Sequence, residues 1–145
     1  MVLAKHLTAE SLVLAYLRGD FYASAGVTLK EISSTRRTFT VTPEVEEGVT
    51  YTTQFIGTRI RYDRSSKPAL DDAGNEMPNR TRIYSDDVGE ILYQTTDVPA
   101  VYNFDGDELY VRAKLISSKL KSQPFSEGDV ELAWTQPVVV AGNYW

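Results

Sequence analysis

Residues Val49–Tyr62 read VTYTTQFIGTRIRY. β-branched and aromatic side chains dominate this stretch, and such side chains favour a pleated, half-buried surface. It predicts one long strand, with Gly57 marking a bulge or bend near its middle. On its N-terminal side, Glu44–Gly48 (EVEEG) reads as a turn, preceded by strand patterns at Val27–Ile32 and Thr38–Val41 that end at Pro43. On its C-terminal side, strands are expected at Thr81–Tyr84, Glu90–Thr95, Leu109–Ser117, Val130–Trp134 and Val138–Val140. Within Leu109–Leu115, apolar Leu109, Val111, Ala113 and Leu115 alternate with Tyr110, Arg112 and Lys114, so that strand buries one face.

The helical period occurs once, at residues 8–18. Thr8 is a suitable N-cap, and Leu7 and Leu12 stand at staple positions. Leu12, Val13, Tyr16 and Leu17 follow helical spacing, Arg18 suits the C-terminal dipole, and Gly19 suits a left-handed cap. The pattern predicts a mainly β chain: an antiparallel β-sandwich of about seven or eight strands with one N-terminal helix. Residues 1–145 form a single domain in this reading, with the sandwich over 27–140 and a long loop over 63–80. A chain of 145 residues can bury roughly two-thirds of its unfolded surface, enough for one core.

Composition narrows the function classes. The formal net charge is −5, with 15 basic and 20 acidic residues. That balance argues against nucleic acid as a partner, because phosphate binding needs a basic footprint. No apolar run reaches the ~20 residues of a membrane span, and the N-terminus, broken by Lys5, His6 and Glu10, does not read as a signal peptide. There is no cysteine, which excludes disulfides and thiolate chemistry. The one histidine, His6, reads as a loop residue before the helix cap, and a multi-histidine metal site cannot be built from it.

Three segments together carry a resemblance: Gly19–Gly26 (GDFYASAG), Asp107–Ser118 (DELYVRAKLISS) and Ala133–Val138 (AWTQPV), with Tyr84–Gly89 (YSDDVG) between them. In this order they resemble the C-terminal β-rich region of bacterial CehA/McbA-type proteins of the polymerase-and-histidinol-phosphatase (PHP) superfamily. The resemblance covers most of the chain, with gaps at the two long loops. It implies an accessory domain that packs against a metal-dependent hydrolase barrel or mediates assembly. The family's His-x-His and Asp/Glu-His metal motifs have no counterparts in this sequence, so no catalytic residue is carried over and the chain alone is expected not to be an enzyme.

Several residues are candidates for function. Asp105 and Asp107, in NFDGDE, offer the start of a calcium loop, but Asp105-Gly106 is also a good hairpin turn, and the turn is preferred. Calcium is the one cofactor considered. Asp71–Glu76 reads as solvated loop. Arg59, Arg61 and Arg64, with Arg80 and Arg82, form a stripe if two strands lie side by side, and such a stripe suits phosphate or an anionic sugar. Pairing with Asp63, Asp86 and Asp87 is the structural alternative. A carbohydrate- or anionic-ligand-binding module is therefore the second functional reading. Trp134 is expected in the core, while Tyr144 and Trp145 are placed at an exposed or docking terminus. Ser24 and Ser34 lack the context of a nucleophile. The helix face of Leu12 and Tyr16, with Val13 and Leu17, is the expected interface: either it folds onto the chain's own sandwich or it self-associates.

Overall fold

A computed structural model describes residues 1–140; Tyr144 and Trp145 lie outside the described residues. The elements are α1 (Ala9–Arg18), β1 (Tyr22–Ala25), β2 (Leu29–Ser34), β3 (Thr38–Pro43), β4 (Tyr51–Arg59), β5 (Ser66–Lys67), β6 (Ile83–Tyr84), β7 (Glu90–Thr95), β8 (Ala100–Asn103), β9 (Glu108–Leu120), β10 (Val130–Thr135) and β11 (Val138–Val139). The larger sheet has the order β1-β10-β9-β4-β7, with β11 also paired to β9. A second sheet runs β2-β3-β8, and β5 and β6 form a separate two-stranded ribbon. All strand pairs are antiparallel. The expected β-sandwich with one helix is the observed fold.

The two sheets bury their facing sides together. Phe39, Val41, Ala100 and Tyr102 come from the small sheet, and Tyr51, Phe55, Val111, Ala113, Leu115 and Ala133 from the large one. Aromatic pairs bridge the layers: Phe39 meets Phe55 edge-on with ring centroids 5.7 Å apart, and Phe55 stacks on Tyr102 at 5.4 Å. Such pairs add about 0.5–1.5 kcal/mol beyond the area they bury. β9 supplies the alternation read from the sequence, with Val111, Ala113 and Leu115 wholly inside. β10 and β11 lie along the same side of β9, opposite Leu120–Lys114 and Val111–Tyr110 respectively. Pro137 stands between them and cannot donate to the ladder, which explains the break.

Gly57 lies opposite Val111 on β9, where a Cβ would stand 2.5 Å from the Tyr110 carbonyl oxygen and 2.7 Å from Leu92 Cδ1. Glycine is thus required by close approach. The predicted irregularity falls between Phe55 and Ile56, where β7 slips register against β4.

Some boundaries differ from expectation. β4 stops at Arg59 rather than Tyr62, and β6 keeps only two residues of the expected Thr81–Tyr84. β1, β5 and β8 have no counterpart in the sequence reading. The 63–80 loop holds β5 and a Leu70–Glu76 bridge.

Trp134 needs a correction. It is half-buried on the outer face of the large sheet, because its neighbours Ala133 and Thr135 take the inward positions. Its ring meets cations: Arg112 lies 4.6 Å and Lys114 Nζ 5.1 Å from its centroid.

The helix forms as its caps predict. Thr8 Oγ1 accepts from the Ser11 N–H at 3.3 Å, and Gly19 takes a left-handed φ of 76°. Leu7, however, is almost wholly exposed, so the staple with Leu12 does not close. Among the described residues, no helix is long and apolar enough to cross a membrane.

Candidate functional site

The acidic segment is a turn held from inside. It joins β8 of the small sheet to β9 of the large one, a crossover between the layers and not the expected hairpin turn, with Gly106 at a positive φ of 92°. Glu108 is fully buried at the start of β9. One carboxylate oxygen accepts the Tyr102 hydroxyl at 2.7 Å and the Asp105 N–H at 2.8 Å, and the other accepts the Gly106 N–H at 2.9 Å. Burial pushes the Glu108 carboxyl up, but the bonds from Tyr102 and the two amides outweigh it and hold the group below its ordinary value. Burial and the bond to Glu108 push the Tyr102 phenol well up.

Arg59 closes the outside of the same turn. It ends β4 opposite Glu108, and its guanidinium bonds both Asp107 and, at 3.2 Å, Asp105. Its Nε lies 3.6 Å from Glu90. Burial disfavours the charge, but the bonds to Asp105 and Asp107 prevail and hold the guanidinium above its usual value. Oxygen atoms of Asp105, Asp107 and Glu108 lie within 4.8 Å of one another, a spacing that could hold a cation. The donor set does not suit calcium, which wants six or more free oxygens. The Glu108 oxygens are occupied by three donors, and Arg59 already supplies the positive charge that the two aspartates face.

The arginine stripe does not form. β6 pairs with β5, not with β4, and the neighbours of β4 are β7 and β9. Arg61 lies beyond the end of β4. Arg82 donates to the Ser66 hydroxyl at 2.8 Å and the Ser66 carbonyl at 2.9 Å, and Arg64 stacks 5.6 Å from the Tyr62 ring centroid. Nor do the expected aspartates pair with these arginines. Asp63 accepts the Ser65 N–H and hydroxyl, which lower its pKa, and Asp87 accepts the Asp63 N–H. The pairing Arg59 does make reaches partners 46 and 48 residues away. No local spacing in the sequence signals it.

The helix leaves much of its apolar surface uncovered. Ala15 is its only fully buried residue. Leu12 is partly buried, whereas Tyr16 remains 59% exposed, its ring tilted against Phe21 with centroids 5.3 Å apart. Val13 and Leu17 are 56% and 79% exposed. At 3.6 residues per turn, these two lie roughly opposite Ala15, with Tyr16 and Leu14 to either side. Apart from Glu10 in the first turn, which this spacing sets beside Leu17, α1 is therefore apolar on its outward arc as well, the pattern of a helix enclosed on more than one side. The expectation that the helix folds its whole apolar face onto the sandwich is not met.

Comparisons with protein-family models, curated proteins and solved structures found no match for this chain.

Proposed function

We propose that this chain is a non-catalytic interaction domain, a β-sandwich that docks through α1 into an apolar groove of a PHP-type metal-dependent hydrolase barrel. The outward arc of Val13, Tyr16 and Leu17 carries the reading. Burying each such side chain fully contributes roughly 1.5–3 kcal/mol. That is a large unsatisfied driving force on a chain whose sandwich core is otherwise closed. Groove docking fits the arc better than pairing with the same helix of a second copy. A ten-residue helix is about 15 Å long. One side of it falls short of the ~800 Å² per partner typical of stable interfaces, whereas a groove covers both flanks. The segment resemblance to CehA/McbA-type tails supplies the identity of the partner.

The alternative of anionic-ligand binding at Arg59, Arg61 and Arg82 is not favoured, since the guanidinium groups of Arg59 and Arg82 are engaged within the chain.

The test is light scattering after size exclusion, on the chain alone and mixed with a PHP-type barrel domain. A complex lost in Leu17→Glu and Val13→Glu supports the reading. A monomer that forms no complex refutes it, as does a complex indifferent to both substitutions.

A further inference from the structure

The outer face of the large sheet carries a second, independent signal. Strand registers place Ala23, Trp134, Lys114, Gln54 and Gln94 in one continuous row across β1, β10, β9, β4 and β7. At a strand spacing of about 4.8 Å this row runs about 19 Å. The row on one side adds Leu132, Ile116 and Thr52, and the row on the other adds Arg112, Ile56 and Ile91. None of these residues is acidic, although the chain has 20 acidic residues and a net charge of −5. Its two cations, Arg112 and Lys114, form no ion pair among the described residues. Both rest over the Trp134 indole instead, and Gln54 donates its amide to Gln94 at 2.8 Å.

We infer that this face binds an acidic polysaccharide, a chain of uronate-type sugars laid along the row. Each group has a use in that role. The indole offers a flat apolar surface to the C–H face of a sugar ring. Arg112 and Lys114 are held over it by cation–π contacts of about 0.5–1 kcal/mol at exposed sites, weak enough for a carboxylate to draw them aside. Arg112 can then bond that carboxylate bidentately. The amides of Gln54 and Gln94 supply donors and acceptors for hydroxyls. Two cations are too few for nucleic acid, whose binding rests on neutralising many phosphates. The face is separate from α1, so this inference does not depend on the docking reading.

The experiment uses the full chain with Trp145→Phe, leaving Trp134 as the sole indole. Its fluorescence is titrated with oligogalacturonate, with a neutral galactan, and with a single-stranded oligonucleotide of similar length. The expected result is a saturable change with oligogalacturonate alone, weakened at 0.5 M salt as an order-of-magnitude choice that screens exposed charges. The double variant Arg112→Ala/Lys114→Ala should bind at least about tenfold more weakly, a loss worth about 1.4 kcal/mol. These side chains are on the surface, so circular dichroism and the urea midpoint should stay those of the parent. No change at millimolar oligogalacturonate overturns the inference. So does equal binding of the neutral galactan, tighter binding of the oligonucleotide, or undiminished binding by the double variant.

Discussion

Replacing Glu108 by alanine removes the acceptor of three hydrogen bonds at the closed end of the sandwich. Hydrogen bonds to a charged group contribute about 1.5–3 kcal/mol each, and a buried donor left alone costs about 1–3 kcal/mol. The amides of Asp105 and Gly106 belong to exposed residues and can turn to water after truncation, whereas the hydroxyl of buried Tyr102 cannot. The net loss for Glu108→Ala is therefore about 3 kcal/mol. With a urea m value of about 2 kcal/mol/M, the unfolding midpoint falls by about 1.5 M. Glu108→Gln keeps an oxygen for Tyr102 and Asp105 but can set an NH2 against the Gly106 N–H, for a loss of about 1–2 kcal/mol at neutral pH. The pH dependence separates charge from shape. The folded carboxyl lies below its ordinary 4.5, so its contribution is present above that value and is lost as pH falls through the folded one. Glutamine has no such titration, so the gap between wild type and Glu108→Gln should narrow as pH falls below 4.5 and through the folded value. A gap that stays constant over that range would refute the argument. A Glu108→Ala midpoint within about 0.3 M of wild type would do the same.

Gly57→Ala drives a methyl group into the Tyr110 carbonyl and Leu92, and should destabilise by about 1–3 kcal/mol in the same urea titration. Arg59→Ala, by contrast, should cost only about 1 kcal/mol, because its pairs are exposed. It also frees Asp105 and Asp107, but with the Glu108 oxygens still occupied two aspartates are too few for calcium, so millimolar calcium should leave the melting temperatures of variant and wild type alike unchanged. Calcium stabilisation of either would overturn the reading of this donor set. On α1, Leu17→Glu should shift the stability of the isolated chain by no more than about 0.5 kcal/mol, whereas Ala15→Glu, which buries a charge, should unfold or detach the helix, as read by far-UV circular dichroism.

What the sequence made legible was whatever is encoded locally. Thr8 and Gly19 cap a helix through groups three or four residues away, and β9 shows its buried face by a period of two. β1 and β8 escaped because YASA and AVYN have four residues each and hold too few alternations to register. Trp134 reads as inside because Leu132-Ala133-Trp134 is apolar at every position, so hydropathy says nothing about parity. Parity is visible only in the structure, where Ala133 and Thr135 are buried, the Thr135 hydroxyl accepts the Ala113 N–H at 2.9 Å, and Trp134 between them turns out. The candidate site was half legible. Asp105-Gly106 does mark a change of chain direction, but β8 and β9 belong to different sheets and form no hairpin, and its partner Arg59 arrives through the non-sequential pairing of β4 with β9, which no stretch of local pattern contains.

The distribution of satisfied and unsatisfied groups separates folding from function. Among the described residues, no buried side-chain nitrogen or oxygen lacks a hydrogen-bond partner, and even the buried carboxylate of Glu108 is fully matched. The interior thus accounts for stability without any ligand. What the fold does not use lies outside: an apolar arc on α1, and an acid-free sheet face whose cations rest on an indole. Because neither feature contributes to the core, each can be altered with the sandwich intact. Loss of binding after substitution at Leu17 or at Arg112 and Lys114, with an unchanged urea midpoint, is therefore a statement about recognition and not about folding.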